Sequence, residues 1–213
     1  MSGRSNGLSR YIDRLFYSST RGNLDSVSVR TRPGPRDRLL EAADRLIYSH
    51  GVNVGVDALL KAANVARRSL YEHFGGKDGL IVEVLRSAAD ADAADYRRTM
   101  DAAGADPRAR LLAIFDRLGE IIATPGFHGC RYLAADLALT DPGHPAHEVT
   151  RDYRRHVLDL LKRELTALGH PRPERAADQL FILIDGTLAT GATRPDATPA
   201  AAARELAEHL ITP

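Results

Sequence analysis

The segment NVARRSLYEHFGGKDGL, residues 64–80, places two adjacent arginines, Arg67 and Arg68, just ahead of Leu70, Tyr71, His73 and Phe74. A glycine pair, Gly75-Gly76, follows, and the chain resumes with Lys77 and an apolar run. Asn64 tolerates positive φ better than any residue except glycine, so it marks a turn between two short helices. Val65 and Leu70 are placed to lock those helices together, which leaves Arg67, Arg68 and Ser69 pointing outward from the first turn of the second. In a helix–turn–helix that second helix enters the DNA major groove and presents its N-terminal residues to base edges. Arginine suits the task, because guanine O6 and N7 together accept a bidentate pair. Lys77 opens the next helix, where free N–H groups and the dipole favour an anion.

Working outward, helical periodicity dominates and strand signals are nearly absent. Upstream, Leu39, Leu40, Ala43, Leu46 and Ile47 fall on one face of a helix from residue 36, which Gly51 ends. A second short helix is expected over 56–63, with Leu59 and Leu60 inward, and a third over about 66–74. Before them, residues 1–35 read as a basic arm with scattered Gly and Ser and a short apolar patch at residues 11–17. Pro33 and Pro35 close that arm, since a helix cannot continue through them. Downstream, a long helix from 77 reaches about 103, where Gly104 stops it. Asp106-Pro107 is a capping carboxylate followed by proline at the first helical position. Its helix carries Leu111, Leu112, Phe115, Leu118, Ile121 and Ile122. Further helices are expected over 132–139, 145–168, 173–193 and 198–211. The chain is therefore all-α, with about nine helices.

Composition narrows the function. The 213 residues are 44% hydrophobic and 27% charged, ordinary for a globular chain. No apolar run approaches the ~20 residues that cross a bilayer, and no signal peptide is apparent. The single cysteine, Cys130, excludes an internal disulfide framework and suits a reducing, cytoplasmic setting. The net charge of +1 is uneven: residues 1–86 carry 14 Lys/Arg against 9 Asp/Glu, a net of +5, and the remainder is acidic. A basic N-terminal part suits a polyanionic partner.

In its carrying residues the chain resembles the TetR family of bacterial transcriptional regulators. Those residues run from Arg38 to Ile47 (RLLEAADRLI), then His50-Gly51, then Val56-Asp57-Ala58-Leu59. Above all they are Ser69-Leu70-Tyr71-Glu72-His73-Phe74 with Lys77-Asp78-Gly79-Leu80. The close likeness covers about residues 36–85, and the remainder matches in layout. The resemblance implies a helix–turn–helix DNA-binding domain over 36–80 and a helical-bundle effector and dimerisation domain over 81–213. It further implies a homodimer that represses from a palindromic operator in double-stranded DNA and is released by a small-molecule effector. Carried across, Arg67, Arg68 and Ser69 face bases or backbone, and Tyr71, His73 and Lys77 hold phosphates. Two places depart from the family pattern. Where Ser or Thr usually precedes the second and third helices, this chain has Val54-Gly55 and Ala66, and alanine is a poor cap.

An effector pocket is likewise implied by the resemblance. Its candidate lining is Phe115, Leu118, Ile122, Phe127, Tyr132, Asp136, Phe181 and Asp185. The penultimate helix offers small residues (Gly186, Ala189, Gly191 and Ala192) that permit close helix approach in a two-fold interface with the last helix. Cys130 and the histidines 128, 144 and 147 follow no established zinc spacing, so no metal or cofactor is expected. Cys130 is read as an inert packed cysteine; the competing reading is an oxidant sensor, because it lies just before a helix N-terminus and beside Arg131, both of which lower a thiol pKa. The sequence has no GxSxG, no glycine-rich phosphate loop and no HExxH, so nothing points to an enzyme. A helical adaptor would explain the helices but not Arg67 and Arg68 ahead of Tyr71, His73 and Lys77.

Overall fold

The computed structural model describes residues 33–212, and the expected basic arm lies almost entirely outside the described residues. Among them the chain forms nine helices. These are α1 (Pro35–His50), α2 (Val56–Ala63), α3 (Arg67–Phe74), α4 (Lys77–Ala102), α5 (Pro107–Ile122), α6 (Arg131–Ala138), α7 (Ala146–Ala167), α8 (Pro173–Thr193) and α9 (Thr198–Leu210). The expected helices therefore form, with ends displaced by about a residue. Residues 34–212 belong to one compact unit.

Local chemistry accounts for the helix ends. Proline stands at the start of α1, and Gly51 stops it with φ 83°. Asp106 caps α5 as expected, its carboxylate accepting from the Arg108 and Ala109 N–H groups at 3.2 and 3.3 Å. Asn64 takes the left-handed conformation, φ 52° and ψ 55°, and is the only non-glycine among the described residues with positive φ. Ala66 precedes α3 without any side-chain cap, as its lack of a hydroxyl requires.

The helices enclose two apolar cores. The first joins Leu39, Ala43 and Ile47 of α1 to Leu59 of α2, Leu70 of α3, and Leu80, Ile81, Val84 and Leu85 of α4. It does not stop at residue 80, for Tyr132 and Ala135 of α6 and Ala146 and Val149 of α7 complete it. The second core joins Tyr96 and Met100 of α4 to α5, α7, α8 and α9. One long helix thus serves both. Two glycines are fixed by close approach. A Cβ on Gly79 would lie 1.9 Å from the Phe74 carbonyl oxygen, so α4 can leave α3 this tightly only without a side chain there. A Cβ on Gly191 would lie 2.7 Å from the Ile122 side chain, where α8 meets α5. Gly191 therefore serves packing within the chain, whereas Gly186 is exposed with open space beside it.

Candidate nucleic-acid interface and the interior behind it

The turn between α2 and α3 is held from beneath by α1. Arg38 donates from Nε to the Ala63 carbonyl at 3.1 Å and from a terminal nitrogen to the Asn64 carbonyl at 3.3 Å. Those carbonyls end α2 and would otherwise need water. Val65 N–H bonds back to the Leu60 carbonyl, and Leu70 is fully buried, so α3 is pinned through its inner face. Arg36 lies 5.5 Å above the Phe74 ring and pairs with Glu83 of α4. Phe74 is accordingly half-buried, while Tyr71 and His73 stand exposed.

The residues expected to meet DNA lie on the outer surface of α3 and at the start of α4. Arg67, Arg68, Tyr71 and His73 are exposed, and Ser69 and Lys77 are half-exposed. Both arginines already have acidic neighbours: Arg67 pairs with Asp57 of α2 at 2.6 Å, and Arg68 with Glu72 one turn on at 2.5 Å. No local pattern signals the first pair, which needs α2 and α3 folded against each other. Lys77 is the first residue of α4, reached through Gly75 (φ 71°) and Gly76 (φ 139°), two conformations that suit glycine. Asp78 shares that first turn, and its carboxylate lies 3.5 Å from the buried Nε2 of His144.

Behind this surface sits a polar cluster. Arg131, at the start of α6, has a side chain only 9% exposed. It pairs with Asp44 of α1 at 2.5 Å, and its guanidinium lies 4.7 Å from the Tyr48 ring centre. The Tyr48 hydroxyl donates to the Gly129 carbonyl at 3.3 Å and accepts from the His128 N–H at 3.1 Å. The next residue, Tyr132, faces inward, donates to the Asp92 carboxylate at 2.7 Å, and stacks on Tyr153 with ring centres 3.6 Å apart. Burial raises the Asp92 pKa, against the pull of Arg131 and the Tyr132 hydrogen bond. Burial likewise raises Tyr96 and Tyr153, and Asp185, which Arg154 partly offsets.

The candidate pocket residues separate in this arrangement. Phe115, Leu118, Ile122 and Phe181 belong to the second core, and Phe127 packs on it half-buried. Tyr132 and Asp185 contribute to the polar cluster around Tyr96 and Cys130. Asp136 does not join them; its carboxylate is held by His147 Nδ1 at 2.6 Å and the Thr150 hydroxyl at 2.7 Å. Of the two readings of Cys130, the packed cysteine accords with the structure. Burial pushes the thiol up to about 11, so the helix terminus and Arg131 do not leave it as a thiolate. Among the described residues no group of three or more His, Cys, Asp or Glu is placed to hold a metal ion. Sequence reasoning passed over Asp92, Tyr96 and Tyr153. A signal was present for two of them: Ala88, Asp92, Tyr96 and Met100 recur every fourth residue along the inward face of α4.

Two family models match the chain. One describes bacterial regulatory proteins of the tetR family and covers residues 39–84; the other, a tetracycline repressor-like C-terminal domain, covers 144–213. Among solved structures, the TetR-family transcriptional regulator SCO4454 of Streptomyces coelicolor is 31% identical, with a TM-score of 0.75. That match covers 83% of this chain and 94% of the other. The chain belongs to the TetR family. A second TetR regulator, SAV143 of Streptomyces avermitilis, is 34% identical with a TM-score of 0.71, over 83% of this chain and 99% of its own. The HTH-type transcriptional regulator YjdC of Escherichia coli is 23% identical over 177 residues, 83% of this chain and 93% of its own. This TetR-family member is thus a transcriptional regulator with a helix–turn–helix DNA-binding domain, and not an enzyme. Among the described residues no helix is long and apolar enough to cross a membrane.

Proposed function

We propose that the protein is a repressor that binds a palindromic operator as a homodimer and is released when a small molecule enters its helical C-terminal part. In this reading residues 36–80 bind DNA in the cytoplasm, and residues 81–213 hold the effector and the partner subunit. Arg67, Arg68 and Ser69 read the major groove, and Tyr71, His73 and Lys77 engage phosphates. The observation that carries the reading is the first turn of α3, where two exposed arginines stand on a helix anchored by Leu70 and steadied by Arg38.

The dimer reading rests on the outer faces of α8 and α9. Ile182 is 67% exposed and Leu206 56% exposed, and Gly186 and Ala189 continue the α8 stripe with little bulk. Helices with such faces pack well across a two-fold axis. The effector reading rests on the polar cluster at α4, α6 and α7, since buried polar groups of this kind orient a ligand. Arg131 and Tyr132 are neighbours on α6, one holding α1 and the other facing the interior, so a ligand that displaces Tyr132 would also pull on Asp44 and Tyr48.

A gel shift with the DNA upstream of the protein's own gene tests the reading. Retardation that disappears with one member of a small-molecule panel, together with a dimer in sedimentation, is the expected result. A monomer, or equal binding to unrelated DNA at matched salt, would overturn it.

A further inference from the structure

A cavity of about 300 Å³ lies away from both regions, where α7 gives way to α8 and α9 ends. Its polar lining is His170, Arg172, Arg175, Gln179, His209 and Thr212. Among the described residues no Asp or Glu lines it, although the chain holds 28 acidic residues to 29 Lys and Arg. Two acids on its flanking helices are engaged elsewhere, while Asp178, one turn on from Arg175, and Glu205, one turn before His209, are exposed. Glu174 pairs with Lys162 at 2.8 Å, and Glu208 pairs with Arg204. Among the described residues neither Arg172 nor Arg175 has a carboxylate oxygen within 4.0 Å. Arg108 reaches the same corner, 3.4 Å from the Thr212 hydroxyl.

The hydrogen bonds already made define what remains free. His170 Nδ1 accepts from the Arg172 N–H at 3.2 Å, so in the neutral ring the proton is on Nε2, a donor. His209 Nδ1 donates to the Glu205 carbonyl at 2.8 Å, which leaves Nε2 able to accept. Arg172 stands before the first turn of α8, which has no side-chain cap, so the positive end of a 21-residue helix faces the same corner. The site thus combines two guanidinium forks, an imidazole N–H, an amide and a helix terminus, with acceptors at His209 Nε2, the Gln179 amide oxygen and the Thr212 hydroxyl. Guanidinium forks match oxyanions carrying two or more oxygens.

We propose that this corner is a second ligand site, specific for a small oxyanion of two negative charges such as hydrogen phosphate or a dicarboxylate. Hydrogen phosphate also supplies a hydroxyl for His209 Nε2. The site is formed by α8 and α9, the helices of the proposed dimer, so its occupant bears on the stiffness of that pair.

The test uses the full chain, with thermal unfolding followed against inorganic phosphate, succinate and sodium chloride at equal ionic strength. We expect a saturable rise in Tm with phosphate, succinate or both, absent with chloride. The double variant R172Q/R175Q should weaken that response by about tenfold or more, the scale of losing charge-assisted hydrogen bonds. Both arginines are exposed and unpaired with acids, so the variant should retain the wild-type Tm without added anion. Phosphate and succinate arms separate the two anion classes, and titration calorimetry of each variant gives an independent affinity. No difference from chloride, or an unchanged response in the double variant, overturns the site. Neither result touches the DNA-binding reading, which the gel shift decides separately.

Discussion

The Arg67–Asp57 pair offers a quantitative test of the proposal that α3 reads DNA. Its partners are 2.6 Å apart with side chains 55% and 88% exposed. An ion pair so open to solvent contributes about 0.2–1 kcal/mol. In that proposal Arg67 must leave Asp57 to form a bidentate contact worth about 1–3 kcal/mol, so the net loss in Arg67→Ala is between about 0 and 2.8 kcal/mol. Asp57→Asn removes the competitor and should tighten binding by about 0.2–1 kcal/mol, roughly 1.4- to 5-fold. Some of that gain would come merely from deleting a negative charge near phosphate, and the double variant separates the two parts. If Arg67 is the contact, the gain from Asp57→Asn must shrink in the Arg67→Ala background. The assay is fluorescence anisotropy with labelled duplex from upstream of the gene, at one fixed salt concentration. Asp57 also sits in the first turn of α2, where a carboxylate adds about 0.3–1 kcal/mol, so Tm is measured alongside. An equal gain in both backgrounds, or weaker binding by Asp57→Asn at unchanged Tm, would refute the reasoning.

Three further outcomes are expected. Gly79→Ala drives a Cβ to 1.9 Å from the Phe74 carbonyl and should lower the urea midpoint by the equivalent of about 3 kcal/mol; a change under about 1 kcal/mol would mean that the α3–α4 junction yields easily. Arg131→Ala strips the carboxylates of Asp44 and Asp92 of their shared cation and should cost about 3–5 kcal/mol, while Asp44→Ala, at a site 31% exposed, should cost distinctly less. Equal losses for the two variants in equilibrium unfolding would remove Arg131 from the bridge between α1 and the interior. Cys130, with its thiol raised to about 11, should react with a disulfide reagent at neutral pH only when the chain unfolds; prompt labelling of native protein would show that burial does not protect it.

Much of the fold was legible because helix boundaries depend on neighbours in the chain. Asn64 takes positive φ and Asp106 caps α5 for reasons contained in their own side chains. The glycine pair before Lys77 and the apolar stripe of α1 are equally local. The exposed face of α3 was legible for the same reason, since outward residues of one short helix follow from its period. What lay beneath it was not. Arg38 as the clasp of the turn, and Asp57 as the neighbour of Arg67, join residues 10 to 26 positions apart.

The interior shows the limit most clearly. Asp136 and Asp185 look alike in sequence, each a charge in an apolar stretch, yet one is tied to His147 and Thr150 and the other enters the tyrosine cluster. Cys130 carries the local marks of an activated thiol, a helix start and an adjacent arginine, but burial raises its pKa instead. Helix type, turn geometry and the exposed first turn of α3 were determined by the sequence alone, because they rest on backbone preference and on period. The pairing of Arg131 with Asp44, the burial of Asp92 and the cationic corner by α8 were decided only by tertiary structure. They depend on which distant helices meet and on how much water that contact excludes, and no local pattern contains either.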